Sequence, residues 1–124
     1  MTAGGAFRKP APTSTREDKT VPARLTLVVL LFIRPNAKDE FERFESAAAR
    51  AMRRYGGRLE RRILFPSRGD SSTPDEIHVV TFPDRKSFEA YRTDPDLRAL
   101  SAVREEAIRR TVVWEGVDAT RFAE

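Results

Sequence analysis

At 124 residues with a formal net charge of +4 the chain suits one domain; the absence of cysteine excludes disulfides and thiolate metal sites, and a single histidine, His78, cannot by itself build a zinc centre. The charge gathers in residues 1–24, where five basic residues face two acidic ones, leaving 18 basic and 17 acidic residues thereafter, so nucleic acid is not an expected partner. No apolar stretch precedes residue 24, and the nine-residue run that follows is far below the roughly 20 a membrane helix needs, so a soluble, cytoplasmic protein without membrane contact is expected.

Residues 1–24, rich in Ala, Gly, Pro, Thr and charge, lack periodicity and are predicted to be a flexible tail. Residues 25–33 are apolar and β-branched at nearly every position and read as a first strand, ending at Arg34 and Pro35. Asn36 is placed as the cap of a helix, with Asp39 at its third position and Phe41, Phe44, Ala48, Ala51, Met52 and Tyr55 on one stripe; Gly56 and Gly57 stop it. Leu59, Arg61 and Ile63 alternate with Arg58, Glu60 and Arg62 in a half-exposed edge strand reaching Pro66. A polar loop over residues 67–75 leads to a third strand, 76–82, again apolar. Pro83 and Asp84 open a short helix with Phe88 and Tyr91 facing inward, and Asp94 with Pro95 restarts it, Asp as cap and Pro at the first helical position. Glu105 with Arg109 and Glu106 with Arg110 have the spacing of helical ion pairs. Residues 111–115 form the last strand before Gly116, and 118–124 a C-terminal tail.

The order is βαββαβ, which in the split βαβ arrangement puts strands one and three at the centre of a four-stranded antiparallel sheet and strands two and four at its edges. Right-handed crossovers place both helical units on one side. Neither the set Leu25, Leu27, Val29, Leu31, Ile33 nor the set Val28, Leu30, Phe32 suits solvent. The face without helices therefore needs a cover, and a second copy related by a twofold axis is the simplest one.

Leu30-Leu-Phe-Ile-Arg-Pro35 entering a helix with Phe41 and Phe44, Tyr55-Gly-Gly-Arg-Leu59, Ile77-His-Val-Val-Thr-Phe-Pro83 and Phe88-Glu-Ala-Tyr-Arg-Thr-Asp-Pro95 together resemble the dimeric α+β barrel superfamily, and within it a small bacterial family of unknown function. The resemblance spans residues 25–117 and implies a ferredoxin-like α+β domain, a homodimer through the sheet face, and kinship with cofactor-free monooxygenase-like and isomerase-like members. Haem enzymes of this fold generally hold iron through a helical histidine, whereas His78 falls on a strand, so no cofactor is expected. Oxygenases of the fold use an Asn, and Asn36 is already assigned to a cap.

His78 shares parity with Val80 and Phe82 and should face the space between sheet and helices, where it could act as acid or base near neutral pH. The plainer alternative is a histidine hydrogen-bonded to a neighbouring strand or helix. Tyr91 could hold a ligand by its hydroxyl, although its spacing from Phe88 is that of a core pair. Trp114 could line a pocket or a dimer seam, Arg61 could meet a ligand carboxylate or a nearby acid, and Glu76 lies two residues before His78 on the same face, with the two side chains expected to stand well apart. Phosphate loop, serine elbow and zinc-helix motifs are missing. Two functions fit: a dimer that binds or transforms a small organic molecule without a cofactor, or a non-catalytic interaction or ligand-sequestering protein whose aromatic side chains fill the cleft.

Overall fold

The structure, a computed structural model, describes residues 24–66 and 71–120. All but Arg24 of the expected N-terminal tail, residues 67–70 of the polar loop and the last four residues lie outside the described residues. The elements are β1 (Leu25–Ile33), α1 (Lys38–Arg53), β2 (Arg58–Leu64), β3 (Glu76–Phe82), α2 (Arg85–Arg92), α3 (Pro95–Arg98), α4 (Ser101–Ala107) and β4 (Ile108–Gly116). The strands form one antiparallel sheet in the order β2-β3-β1-β4. The apolar strands are thus central and the charged ones at the edges, where charge discourages unwanted pairing.

Directly opposite residues in a ladder share a face. Leu25, Leu27, Val29, Leu31 and Ile33 of β1 lie against the helices with Val80 and Phe82 of β3. Phe41, Phe44, Ala48 and Ala51 of α1 recur at helical spacing and are buried on this side. Phe41 and Phe82 are 1% and 0% exposed, and each contributes about 2–3 kcal/mol on removal from water. Phe82 continues into a ring cluster with Phe88 and Tyr91, at centroid distances of 5.3 and 5.4 Å.

Two turns fix how α1 sits. Asn36 does not cap it: Ala37 is the cap residue, no side chain bonds the first turn, and Asn36 instead has φ of 62°. The Ala37 N–H donates to the Arg34 carbonyl at 3.2 Å, so residues 34–37 form a turn with Pro second and Asn third, where left-handed backbone suits Asn. At the other end Gly56 has φ of 77°, and Gly57 lies against Met52 and Phe82 with no room for a Cβ. Asp94 then ties the helical unit together. Its carboxylate caps α3 by accepting from the Asp96 and Leu97 N–H groups, and also accepts from the Tyr55 hydroxyl at 2.5 Å and from Arg54 at 3.0 Å. The sequence expectation for Asp94 and Pro95 holds.

Two expectations are corrected. β4 begins at Ile108, so Arg109 and Arg110 are strand residues and form no helical pair with Glu105 and Glu106. Their guanidinium groups lie 5.1 and 5.0 Å from the Phe32 ring centroid, which explains how Phe32 is 2% exposed on the face without helices. In β2 the pairing shifts between Leu59 and Arg61. This bulge reverses the alternation: Leu59, Arg62 and Leu64 face the helices, while Arg61 and Ile63 face away.

The outer face carries Val28, Leu30, Ile77, Val79 and Val112 half-buried, with Ile63 44% and Trp114 60% exposed. No described helix is long and apolar enough to cross a membrane.

Candidate functional site

Between α1 and the β2 and β3 strands the helix-facing side is charged rather than apolar. His78 and Glu76 of β3 are buried, 4% and 5% exposed. Two residues apart on one strand, they are not separated as the strand spacing suggested: the longer Glu76 side chain runs forward along β3 and puts Oε1 2.8 Å from His78 Nε2. A second interaction fixes that rotamer. Arg62, brought to this face by the bulge, donates from Nε to Glu76 Oε1 at 2.7 Å and from Nη2 to Oε2 at 2.9 Å, a two-pronged clamp on the carboxylate. The same Nη2 reaches Glu42 of α1 at 2.5 Å.

The other nitrogen of the imidazole, Nδ1, faces Glu45 Oε1 of α1 at 3.5 Å. Because the Glu76 carboxylate can only accept, the ring carries its proton on Nε2 when neutral, leaving Nδ1 free to accept one from the Glu45 side. Burial alone would raise the Glu76 carboxyl, yet the hydrogen bonds from Arg62 and His78 outweigh it and hold the group below its ordinary value. Glu45 goes the other way: burial pushes it up, and the facing His78 offsets only part of that. One imidazole thus sits between two carboxylates of opposite tendency. The Phe41 ring, 6.4 Å from the imidazole centroid, closes the apolar side.

A cleft of about 320 Å³, near the lower bound for small-molecule pockets, opens beside this cluster. Arg34, Pro35, Phe41, Glu42, Phe65 and Glu76 are among its walls. Glu76 is therefore shared, with one side on the cleft and its Oε1 on His78. His78 itself is not a lining residue and stands one side chain behind the wall.

The structure brings His78 and Glu76 together and leaves the other sequence candidates elsewhere. Arg61 pairs with Val79 and faces away from His78; Arg62 holds the place that unbroken alternation assigned to it. Trp114 pairs with Val28 and stands on the outer face. Tyr91 is on the helix side, packed on Phe82, and among the described residues nothing hydrogen-bonds its hydroxyl. Burial pushes that hydroxyl up to about 12, with the Glu45 charge adding, so it stays a donor at neutral pH. Glu45, Glu42 and Arg62 were not singled out from the sequence. Glu45 had a signal: it falls four residues after Phe41 and three before Ala48, an acid within the apolar stripe. Among the described residues no group of three or more His, Asp or Glu is arranged to hold a metal ion.

Residues 27–117 match the family model DUF1330, described as a domain of unknown function. No curated protein matches the chain. A protein of unknown function from Rhodopseudomonas palustris is similar in structure, at 14% identity and a TM-score of 0.69, over 82% of this chain and 88% of that one. A dabb family protein with a ferredoxin-like fold from Mesorhizobium loti matches at 15% identity and 0.58, over 77% and 97%. A dimeric protein of unknown function with a ferredoxin-like fold from Bacteroides fragilis matches at 15% and 0.53, over 77% and 96%. At these identities the likeness concerns the fold, and the fold of this chain is ferredoxin-like α+β.

Proposed function

The chain belongs to the DUF1330 family of domains of unknown function, and on that premise we propose that it is a homodimer that binds a small organic molecule on the helix side of each sheet and carries out acid–base chemistry on it without a cofactor. One observation carries the reading: the cleft wall at Glu76 is hydrogen-bonded directly to a buried histidine that has a second carboxylate behind it. A core histidine needs one partner; a histidine between two acids, beside an opening, is arranged to handle a proton. His78, one side chain behind the wall, is the acid or base, and Glu76 orients it and faces the ligand.

Arg61 and Trp114 belong to the second half of the reading. They stand on the outer face with the half-buried Val28, Leu30, Ile77 and Val79, an apolar surface suited to another copy of itself. The protein of similar fold from Bacteroides fragilis is described as dimeric, which supports a second copy.

The non-catalytic reading has one observation in its favour. Phe41, Phe44 and Phe88 are buried and fill the helix–sheet space as ordinary core. A thermal-shift screen of aromatic acids, lactones and polyketide-like compounds separates the two, since a ligand of the native state raises its melting temperature. The site reading expects hits whose stabilisation drops at least tenfold in affinity in His78→Gln. Hits indifferent to that change favour the sequestering protein.

A further inference from the structure

We propose that Glu45 is the second acid–base group of this site and that it shares one exchangeable proton with His78, while Glu76, clamped by Arg62, stays a fixed anion that decides which ring nitrogen is left for the exchange. The inference rests on the acid–base reading above and deepens it. Three geometric facts support it. The imidazole is bracketed, with Glu76 at 2.8 Å on Nε2 and Glu45 at 3.5 Å on Nδ1. Both Glu76 oxygens are engaged by Arg62, so this carboxylate has little to gain from a proton. The Glu45 side chain is 21% exposed against 5% for His78 and 6% for Glu76, which makes Glu45 the most exposed of the three.

The surroundings of Glu45 agree. Glu42 on α1 and Glu76 on β3 add negative charge, His78 on β3 and Arg62 on β2 oppose them, and Tyr91 on α2 feels the Glu45 charge, with Arg104 of α4 opposing it there. Burial outweighs the opposing effects of His78 and Arg62, so a proton on Glu45 is held more tightly than on an exposed acid. Two groups with opposed environments around one imidazole are the usual mark of a divided acid–base assignment.

The exchange runs within the cluster, since Glu45 and His78 both stand behind the cleft wall. The proton leaves the Glu45 carboxyl for His78 Nδ1 while the carboxylate keeps the electron pair, and it returns by the same path, with nothing oxidised or reduced and no co-reactant needed.

The chain has a single histidine, which makes the test direct. In uniformly carbon-13 and nitrogen-15 labelled protein, the Glu45 carboxyl carbon and the two His78 ring nitrogens are followed through a pH titration without any ligand. Shared protonation requires Nδ1 and the Glu45 carbon to report the same midpoints, because coupled groups titrate as a pair. Exchanging His78→Gln should move the Glu45 midpoint up, and Glu76→Gln should move it down. A Glu45 carbon that titrates like an exposed carboxyl in the wild-type protein, or with midpoints unrelated to Nδ1, overturns the proposal, and the wild-type titration alone decides this if a variant does not fold. Failure of the compound screen would count against the ligand reading and leave this result standing.

Discussion

Glu76 Oε1 lies 2.8 Å from His78 Nε2 although the two residues are neighbours on the same face of one strand, and Arg62 from the adjacent strand holds the carboxylate in that position. Three elements meet there: β2 through Arg62, β3 through the Glu76–His78 pair, and α1 through Glu42 and Glu45. The carboxylate of Glu76 is the hub.

Removing that hub should therefore be felt as loss of stability. Glu76→Ala leaves a buried imidazole and a partly buried guanidinium without their acceptor, at a cost of about 3 kcal/mol, whereas Glu76→Gln keeps the shape and one acceptor oxygen and costs about 1–2 kcal/mol. Urea denaturation at fixed protein concentration reads both. Equal, negligible losses would mean that the clamp is ornamental.

The same cluster sets a pH dependence with two signs. A lowered carboxyl stabilises the fold above its unfolded value and loses that contribution as pH falls, which applies to Glu76 and to Asp94; for Asp94 the hydrogen bonds from Tyr55 and then Arg54 outweigh burial and hold it at about 2. Stability should fall between about pH 4 and pH 2, and Asp94→Asn should flatten that descent. Glu45 is raised, so its ionised form weighs against the fold as pH rises through its folded value. Glu45→Gln should accordingly gain stability relative to wild type more at pH 8 than at pH 4. A constant difference across that range would contradict the raised carboxyl.

Gly57 is expected to be the least tolerant glycine. A Cβ there meets Met52 and the Phe82 ring, and Phe82 is fully buried under Phe88 and Tyr91. Gly57→Ala should cost about 2–3 kcal/mol through overpacking, measured as a shift of the denaturation midpoint. Gly116→Ala, with nothing near its Cβ, is the control and should be nearly silent.

The outer face gives a prediction that leaves the site alone. Trp114 is the single tryptophan, 60% exposed in the isolated chain, so its emission reports the cover directly. Dimerisation through this face should give a blue-shifted emission that moves red on dilution, and Val79→Asp should yield a species of half the mass in sedimentation. A wild-type chain that sediments as a folded monomer at micromolar concentration would remove the second copy from the proposal.

The central strands were legible because β1 is apolar on both faces and β3 carries Ile77, Val79, Val80 and Phe82, and the restart of the second helical unit because Asp94 and Pro95 each have one comfortable place at a helix start. The register of β2 was not. A bulge inserts one residue without a sequence mark among Glu60, Arg61 and Arg62, and it exchanged Arg61 for Arg62 at the site. Asn36 fitted a cap by composition, but the turn after Pro35 claimed it first. Arg109 and Arg110 carried a helical spacing that the strand overrode, because their guanidinium groups cover Phe32. His78 was visible as the one titratable ring on an apolar strand, while the acids around it came from two distant elements that spacing cannot join.

The most direct test of the site is to titrate a stabilising compound from the screen into labelled protein while watching the lone imidazole and the Glu76 carboxyl. Binding in the cleft should shift both sets of signals together, saturating at the affinity that the melting temperature reports. A compound that binds and stabilises the protein while the His78 and Glu76 resonances stay still would contradict the proposed site.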